Sequence, residues 1–223
     1  RFDFEQMASA SPVQSPDKVK SPDKPPKGSV YSWPPYVYEC PVETYYEAYL
    51  ARFPTHELFP YLVDCETVEE NEQQDDKGRF HFMKRRVTIN IDAPSWLKKI
   101  FGFKHAIFVE EHRVYKDLRR IEILSWNESG TNIAKTRDET IYSVHPSNPD
   151  WTVFDETAHA QLKVKMPLVD KKMEAWCLEL LKSRYDDARK TDLEMIARVR
   201  RASSGAGAAA LPVQQQGIAA TAS

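Results

Sequence analysis

Apolar and polar residues alternate with a period of two through the middle of this chain, a pattern that predicts the strands of an antiparallel sheet. Strands are predicted at residues 80–92, 106–115, 119–126, 138–144 and 151–166, and residues 37–38 suit the end of a short strand before them. The stretch YSVHPSNPDWTVF, residues 142–154, indicates a strand, a turn and a second strand, because Pro146 and Pro149 do not fit inside a sheet. A change of apolar parity between Phe82 and Val87 predicts a bulge in the first of these strands.

Helical spacing appears at both ends of this region. Pro41 suits the first turn of a helix that Pro54 ends. A short helix is predicted at residues 93–102, and a long helix runs from Pro167 to about Val199. The long helix carries one apolar stripe, formed by Val169, Met173, Trp176 and Leu180. Such a helix must pack on the sheet, and the enclosed volume is either a filled core or a ligand pocket.

The predicted fold is therefore α+β. It consists of a curved antiparallel sheet of about seven strands, a long C-terminal helix across its concave face and a short lid helix. Residues 1–30 are rich in serine and proline and predict a disordered tail, residues 31–201 form the folded domain, and residues 202–223 read as a low-complexity tail or linker. The tail contains SPDK at 15–18 and again at 21–24, where a serine before proline suits proline-directed kinases; a plain solvated tail is the alternative.

Composition excludes several classes of protein. The formal net charge of -2 creates no overall attraction to nucleic acid, and no RNP-like motif occurs, so we expect no nucleic-acid partner. The cysteines, Cys40, Cys65 and Cys177, are odd in number and widely spaced. This usage indicates free thiols in a reducing compartment and argues against a disulfide framework or a structural zinc site.

Residues that would support catalysis are not arranged for it. None of the six histidines pairs with another at metal-ligand spacing, and no nucleophile or phosphate-loop motif occurs. The adjacent carboxylates Asp138–Glu139 and Asp155–Glu156 lie on predicted strands, and we interpret them as solvated faces and turns. We therefore predict a protein that is not an enzyme and that carries neither a metal nor a cofactor.

Charge is segregated along the chain despite its small total. Residues 57–76 contain eight acidic side chains and no lysine or arginine. The predicted lid interleaves bulky apolar residues with lysines: Trp96, Leu97, Lys98, Lys99, Ile100, Phe101, Phe103 and Lys104. This composition suits transient insertion into a membrane surface. The alternative is a lid packed on the sheet with solvated lysines.

Four separated motifs resemble one known family. They are YEAYLARFPT (46–55), IDAPSWLKKIFG (91–102), LSWNES (124–129) and YSVHPSNPDWTVF (142–154). Together they resemble the PRELI domain of the Ups/slowmo family, and are most similar to the PRELI domains of CRAL-TRIO and GOLD lipid-transfer proteins. The resemblance implies a sheet closed around a phospholipid cavity, and a small twin-Cx9C partner for the mitochondrial members.

The resemblance also implies site residues. Arg52 matches the family's headgroup arginine, although taken alone it indicates a salt bridge at a helix end. Lys98 and Lys99 in the lid, and Lys182 and Lys190 on the last helix, match the regions of the other headgroup cations.

The implied function is intracellular binding and transfer of an anionic phospholipid between membranes without covalent chemistry, and the expected lipid is phosphatidic acid. The alternative is a non-transferring module for membrane targeting or protein interaction. The mitochondrial members of the family imply the intermembrane space, whereas the CRAL-TRIO-linked subgroup implies the cytoplasm or Golgi surface.

Overall fold

Eight antiparallel strands form one sheet in the computed structural model, which describes residues 21–22, 24–90, 105–163 and 169–204. In the C-terminal helix, side chains are described at residue 185 and from 187 onward. The strands are β1 (Ser29–Ser32), β2 (Tyr36–Tyr38), β3 (Leu62–Asp75), β4 (Gly78–Asn90), β5 (His105–Tyr115), β6 (Arg120–Asn127), β7 (Ala134–His145) and β8 (Asn148–Leu162). The helices are α1 (Val42–Leu50) and α2 (Val169–Ser203).

The strand order is β1-β8-β7-β6-β5-β4-β3, and β2 also pairs with β8. Opposed residues in an antiparallel pair point to the same face, so the register defines rows of side chains across the sheet. One row joins Ile121, Tyr142 and Phe154, all of which are buried. We call the face that carries this row the inner face, and its opposite the outer face.

The hydrophobic core lies where α1 and the C-terminal part of α2 pack on the inner face. Tyr38, Tyr45 and Met195 are almost completely buried there, together with Tyr142 and Phe154. Apolar residues of α2 recur at helical spacing in this part, namely Met195, Ile196 and Val199. The predicted architecture of a curved sheet with a long C-terminal helix on its concave face is confirmed.

Several details differ from the sequence prediction. The sheet has eight strands rather than about seven, because β1 and β3 carried no clear apolar alternation. The bulge expected between Phe82 and Val87 lies instead on β3, where Val68 has no opposed residue between Thr67 and Glu69. β4 itself pairs with β5 in unbroken register. Strand β1 begins at Ser29, inside the segment assigned to the disordered tail.

Pro149 is another correction, because it lies inside β8 rather than in the turn. The ladder with β7 is irregular at this point: His145 pairs with Asn148, and the next pair is Val144 with Thr152. No pair in this part of the ladder includes Pro149, so its missing N–H costs no sheet hydrogen bond. The predicted lid helix and the apolar stripe of α2 at residues 169–180 lie outside the described side chains.

Candidate functional site

Arg52 stands at the centre of the inner-face site. It follows the C-terminal end of α1, and its guanidinium lies 4.1 Å from the ring centroid of Tyr49 and 4.6 Å from that of Phe59. Its Nη2 atom donates a hydrogen bond of 3.1 Å to Asp192 of α2. Burial disfavours the charge of Arg52, but the carboxylate of Asp192 and the nearby tyrosines more than compensate and raise the arginine's pKa. The salt bridge expected at a helix end is therefore present, and it is buried.

Asp192 binds more than one partner. Its side chain receives hydrogen bonds from the hydroxyls of Tyr38 (2.5 Å) and Tyr45 (3.2 Å), and the residue is 4% exposed. Burial and the Asp192 charge raise the pKa of both tyrosines, so their hydroxyls remain protonated donors. Arg189 approaches the same carboxylate at 3.5 Å. Asp192 thus joins α1, α2 and the strand β2.

The structure distinguishes Arg189 from its neighbour Lys190. Arg189 has a side chain that is 13% exposed and lies 4.0 Å from the ring of Phe154. The side chain of Lys190 is 76% exposed and pairs with Asp187 on the helix surface. The sequence prediction for this helix therefore falls one residue away from the arginine that reaches the site. Lys98, Lys99 and the side chain of Lys182 lie outside the described residues, as do the predicted lid residues 94–104.

A cavity of about 710 Å³ lies between residues 187–192 of α2 and the inner face of the sheet. Arg52, Arg189 and Asp192 line it, along with side chains of β5, β6, β7 and β8. Exposed Pro60 and Asp187 belong to the lining, so the cavity reaches the protein surface on that side.

A second cavity of about 180 Å³ shares part of the wall that includes Arg52. Its lining is mainly apolar and includes Phe53, Leu62, Val87, Ile89 and Phe108. Arg52 therefore borders both cavities.

Polar side chains occupy part of the floor of the larger cavity, beside the apolar Ile123 and Phe154. The register sets Arg85, Glu110, Ser125 and Asp138 side by side across four strands, and the next row brings Thr140 beside Glu156. Burial, together with the charge of Glu156, raises the pKa of Asp138 to about 7. Burial also raises the pKa of Glu156, with Arg189 opposing the shift.

Glu110 behaves differently from these two carboxyl groups. Burial opposes its ionisation, but its contacts with His112, Arg85 and Tyr49 lower its pKa below the ordinary value. The Tyr49 hydroxyl lies 3.1 Å from both carboxylate oxygens of Glu110, and His112 Nε2 lies 3.1 Å from Oε2. His112 is fully buried, and burial lowers its pKa. This network fixes the side of the cavity next to α1.

Two interpretations made from sequence need correction. Asp138 and Glu156 are not solvated surface carboxylates, because both line the cavity. Asp192 and Arg189 were missed altogether, because the predicted apolar stripe was taken from residues 169–180. The apolar residues Met195, Ile196 and Val199 lie three to seven residues after Asp192 and are the signal that could have placed it on the buried side of the helix. Among the described residues, no group of histidine, cysteine and acidic side chains has the arrangement of a metal site. No helix in that part of the chain is long and apolar enough to cross a membrane.

Comparison with known proteins identifies the family. The PRELI-like family model matches residues 43–201. The chain is 35% identical over 133 residues to Protein real-time of Aedes aegypti, a match that covers 60% of this chain and 20% of that protein. It is 29% identical over 133 residues to the CRAL-TRIO domain-containing protein T23G5.2 of Caenorhabditis elegans, covering 60% of this chain and 18% of that protein. The matched region thus spans about a fifth of these relatives.

A solved structure shows the same fold. The Zhui aromatase/cyclase from Streptomyces sp. R1128 superposes with a TM-score of 0.50 at 13% identity, covering 80% of this chain and 99% of that one. At this identity the likeness concerns the fold alone. The fold belongs to the class in which a C-terminal helix covers a curled antiparallel sheet, with a cavity between them. Within that class, the chain belongs to the PRELI-like family, as its motifs predicted.

Proposed function

We propose that this domain binds an anionic phospholipid, phosphatidic acid, and transfers it between membranes without covalent chemistry. The observation that carries the proposal is the state of two arginines at the cavity. Nε of Arg52, and Nε and Nη1 of Arg189, are buried and have no hydrogen-bond acceptor among the described residues. A buried donor without an acceptor is costly, and phosphate oxygens are the acceptors that guanidinium groups bind best.

The shape of the site supports an amphiphilic ligand. The volume of the larger cavity lies within the range of about 300–1,000 Å³ that is typical of small-molecule sites. The adjoining apolar cavity offers Val87, Ile89 and Phe108 to a hydrocarbon chain. Each methylene group buried there would contribute about 0.8 kcal/mol, so a chain gains affinity with its length.

The strand that precedes the predicted lid ends at the cavity. Asn90 is the last described residue before it, and Asn90 lines the cavity. The chain returns to the sheet at His105, which pairs with Asn90. A membrane-inserting segment anchored at this end of β4 would bring the cavity mouth to the lipid surface, which is what extraction of a lipid requires. Peripheral, transient contact with the membrane is therefore part of the proposal.

One observation favours the alternative of a non-transferring targeting or interaction module. Arg52 and Arg189 already share the carboxylate of Asp192, and Glu110, Asp138 and Glu156 add further acidic groups to the lining. A phosphate must compete with these groups for the arginines.

Lipid analysis separates the two proposals. The purified domain is extracted with organic solvent, and the extract is searched by mass spectrometry for phospholipid. Transfer between liposomes is then measured with a panel of headgroups. Co-purified anionic lipid and selective transfer support the carrier, whereas wild-type protein that carries no lipid and transfers none supports the module.

Adjacent residues provide a matched pair of variants for the headgroup. Arg189→Gln removes buried donors and should lower phosphatidic acid transfer by about tenfold or more. Lys190→Gln removes the same charge from the helix surface and should leave transfer near the wild-type rate. Arg189→Lys keeps the charge and should retain part of the activity. Equal transfer by the glutamine variants would refute the assignment of Arg189 to the headgroup.

A further inference from the structure

The outer face of the sheet carries a feature that lipid binding does not explain. Residues 21–22 and 24–26 form a segment that we call the proline strap. From Pro22 onward the strap lines a groove of about 430 Å³ on this face, together with side chains of β6, β7 and β8. Arg137 of β7 donates a hydrogen bond of 2.7 Å from Nη1 to the carbonyl oxygen of Pro22. Trp126, which is opposed to Arg137 in the ladder, forms part of the groove wall. The second SPDK repeat therefore contributes residues to the structured part of the protein.

Arg137 retains capacity for another acceptor. Its Nε atom lies 3.0 Å from Glu139 but makes no aligned hydrogen bond, and that atom is buried. The groove also contains Lys24 and Lys135. Its acidic residue, Glu128, is already bound by Arg86 through contacts of 2.6 and 2.8 Å. The surroundings of the strap therefore have excess positive charge.

We propose that Ser21 is a phosphorylation site for a proline-directed protein kinase and that Arg137 receives the phosphate. The kinase transfers the terminal phosphoryl group of ATP to Ser21 Oγ. The new O–P bond replaces the bond to ADP, and the serine hydroxyl proton is released. Ser21 directly precedes the proline whose carbonyl Arg137 already binds, and neighbouring Cα atoms are about 3.8 Å apart. A phosphate on Ser21 comes within reach of the guanidinium while the strap stays in its groove.

The direction of the effect follows from the local charge. A phosphoserine brings about -1.5 to -2 charges and strong acceptor oxygens. Arg137 can offer it Nε, with Lys24 and Lys135 contributing attraction, while Glu139 opposes it. Phosphorylation therefore holds the strap more firmly to β7. Because the strap leads through Gly28 into β1, the edge strand of the sheet is held more firmly as well.

Phosphorus NMR tests the contact directly. The full chain, with Ser15→Ala to leave one SPDK site, is treated with a proline-directed kinase and ATP, and modification of Ser21 is verified by mass spectrometry. The phosphoserine resonance is then titrated with pH, in native buffer and in urea. Pairing with Arg137 should lower the phosphate's second pKa, ordinarily about 6, by 0.5 to 1 in the native protein only. This shift equals a roughly three- to tenfold preference for the dianion.

Two variants on β7 should shift the native pKa of the phosphate in opposite directions. Arg137→Gln should restore the value measured in urea, and Glu139→Gln should lower the native value further, because it removes the competing carboxylate. Circular dichroism checks that each variant folds. A native pKa equal to the urea value, or one that Arg137→Gln leaves unchanged, would overturn the assignment of Arg137. Failure of the kinase to modify Ser21 in the folded chain would overturn the modification site itself.

Discussion

Replacing Asp192 with asparagine is the sharpest test of the inner-face site. We expect Asp192→Asn to lower the free energy of unfolding by about 3 kcal/mol. The carboxylate is 4% exposed and receives hydrogen bonds from Tyr38, Tyr45 and Arg52. An asparagine of the same shape keeps one acceptor oxygen and replaces the other with a donor.

The size of this loss in stability follows from the hydrogen bonds that the asparagine amide cannot accept. If its oxygen stays on Arg52, its NH₂ group faces the hydroxyls of Tyr38 and Tyr45, which must turn to accept. Hydrogen bonds to a charged partner contribute about 1.5–3 kcal/mol each, and neutral ones about half of that. Arg52 and Arg189 would also lose their shared counter-charge while they remain largely buried. Breaking a buried ion pair from one side costs about 3–5 kcal/mol, and the remaining amide contacts place our value at the lower end.

Urea unfolding followed by circular dichroism measures this change. Asp187→Asn is the matched control, because it makes the same substitution five residues earlier on the same helix. The Asp187 side chain is 75% exposed and, among the described side chains, pairs with Lys190 alone, so its replacement should change stability by less than about 0.5 kcal/mol. A loss below about 1 kcal/mol for Asp192→Asn would refute our description of a buried charge centre.

The affinity of Asp192→Asn for lipid is a second measurement on the same variant. If phosphate competes with Asp192 for the arginines, removing that carboxylate should raise the affinity for phosphatidic acid liposomes, even though the protein is less stable. Binding that weakens in proportion to the folded fraction would contradict the proposed competition.

Two further predictions concern pH and the sheet edge. Asp138 has a native pKa of about 7 against an ordinary value of 3.8, so the native state holds its proton longer than the unfolded state, and stability falls as pH rises from about 4 to 7. Asp138→Asn should therefore stabilise the domain at pH 8 by roughly 1–4 kcal/mol and hardly at all at pH 4, as measured by urea midpoints; an equal change at both pH values would contradict the assignment. A Cβ atom on Gly28 would lie 2.0 Å from the carbonyl oxygen of Ala160, so Gly28→Ala should displace β1 and lower the free energy of unfolding by about 1–3 kcal/mol. Amide hydrogen exchange in β8 should become faster in this variant, whereas the neighbouring change Ser29→Ala should be nearly neutral.

The strands that alternation predicted are those with one buried and one solvated face. β5 and β6 agree with the sequence prediction to within one residue at each end. β3 was not predicted, because only Leu62 of its fourteen residues is buried and acidic residues occupy much of its length. It is held as a strand by pairing with β4, which is a tertiary effect that local pattern does not contain.

The site was only partly predictable for a geometric reason. Arg52 came from the family resemblance, and the structure places it at the cavity. On a helix, one residue corresponds to a rotation of about 100°, so choosing Lys190 in place of Arg189 turned the side chain from the cavity to solvent. Neighbouring residues of a strand point to opposite faces of the sheet. One carboxylate of each pair, 138–139 and 155–156, therefore had to face inward if both strands were buried on their inner side. Sequence parity relative to Tyr142 and Phe154 identifies Asp138 and Glu156, provided that these aromatic residues are known to be in the core.

The acidic lining and a hydrocarbon ligand are compatible for a physical reason. An ionised carboxylate beside an acyl chain would be strongly unfavourable, but a buried carboxyl group avoids that cost by taking up a proton. Burial and the charge of Glu156 raise the pKa of Asp138 to about 7, and burial raises the pKa of Glu156 as well. On the proposed function, a bound chain displaces cavity water and raises both pKa values further, so these groups become neutral while Arg52 and Arg189 retain their charge for the phosphate. Lipid binding is then linked to proton uptake. The acidic groups in the cavity floor become neutral when the acyl chain fills the cavity, so they no longer oppose an anionic amphiphile.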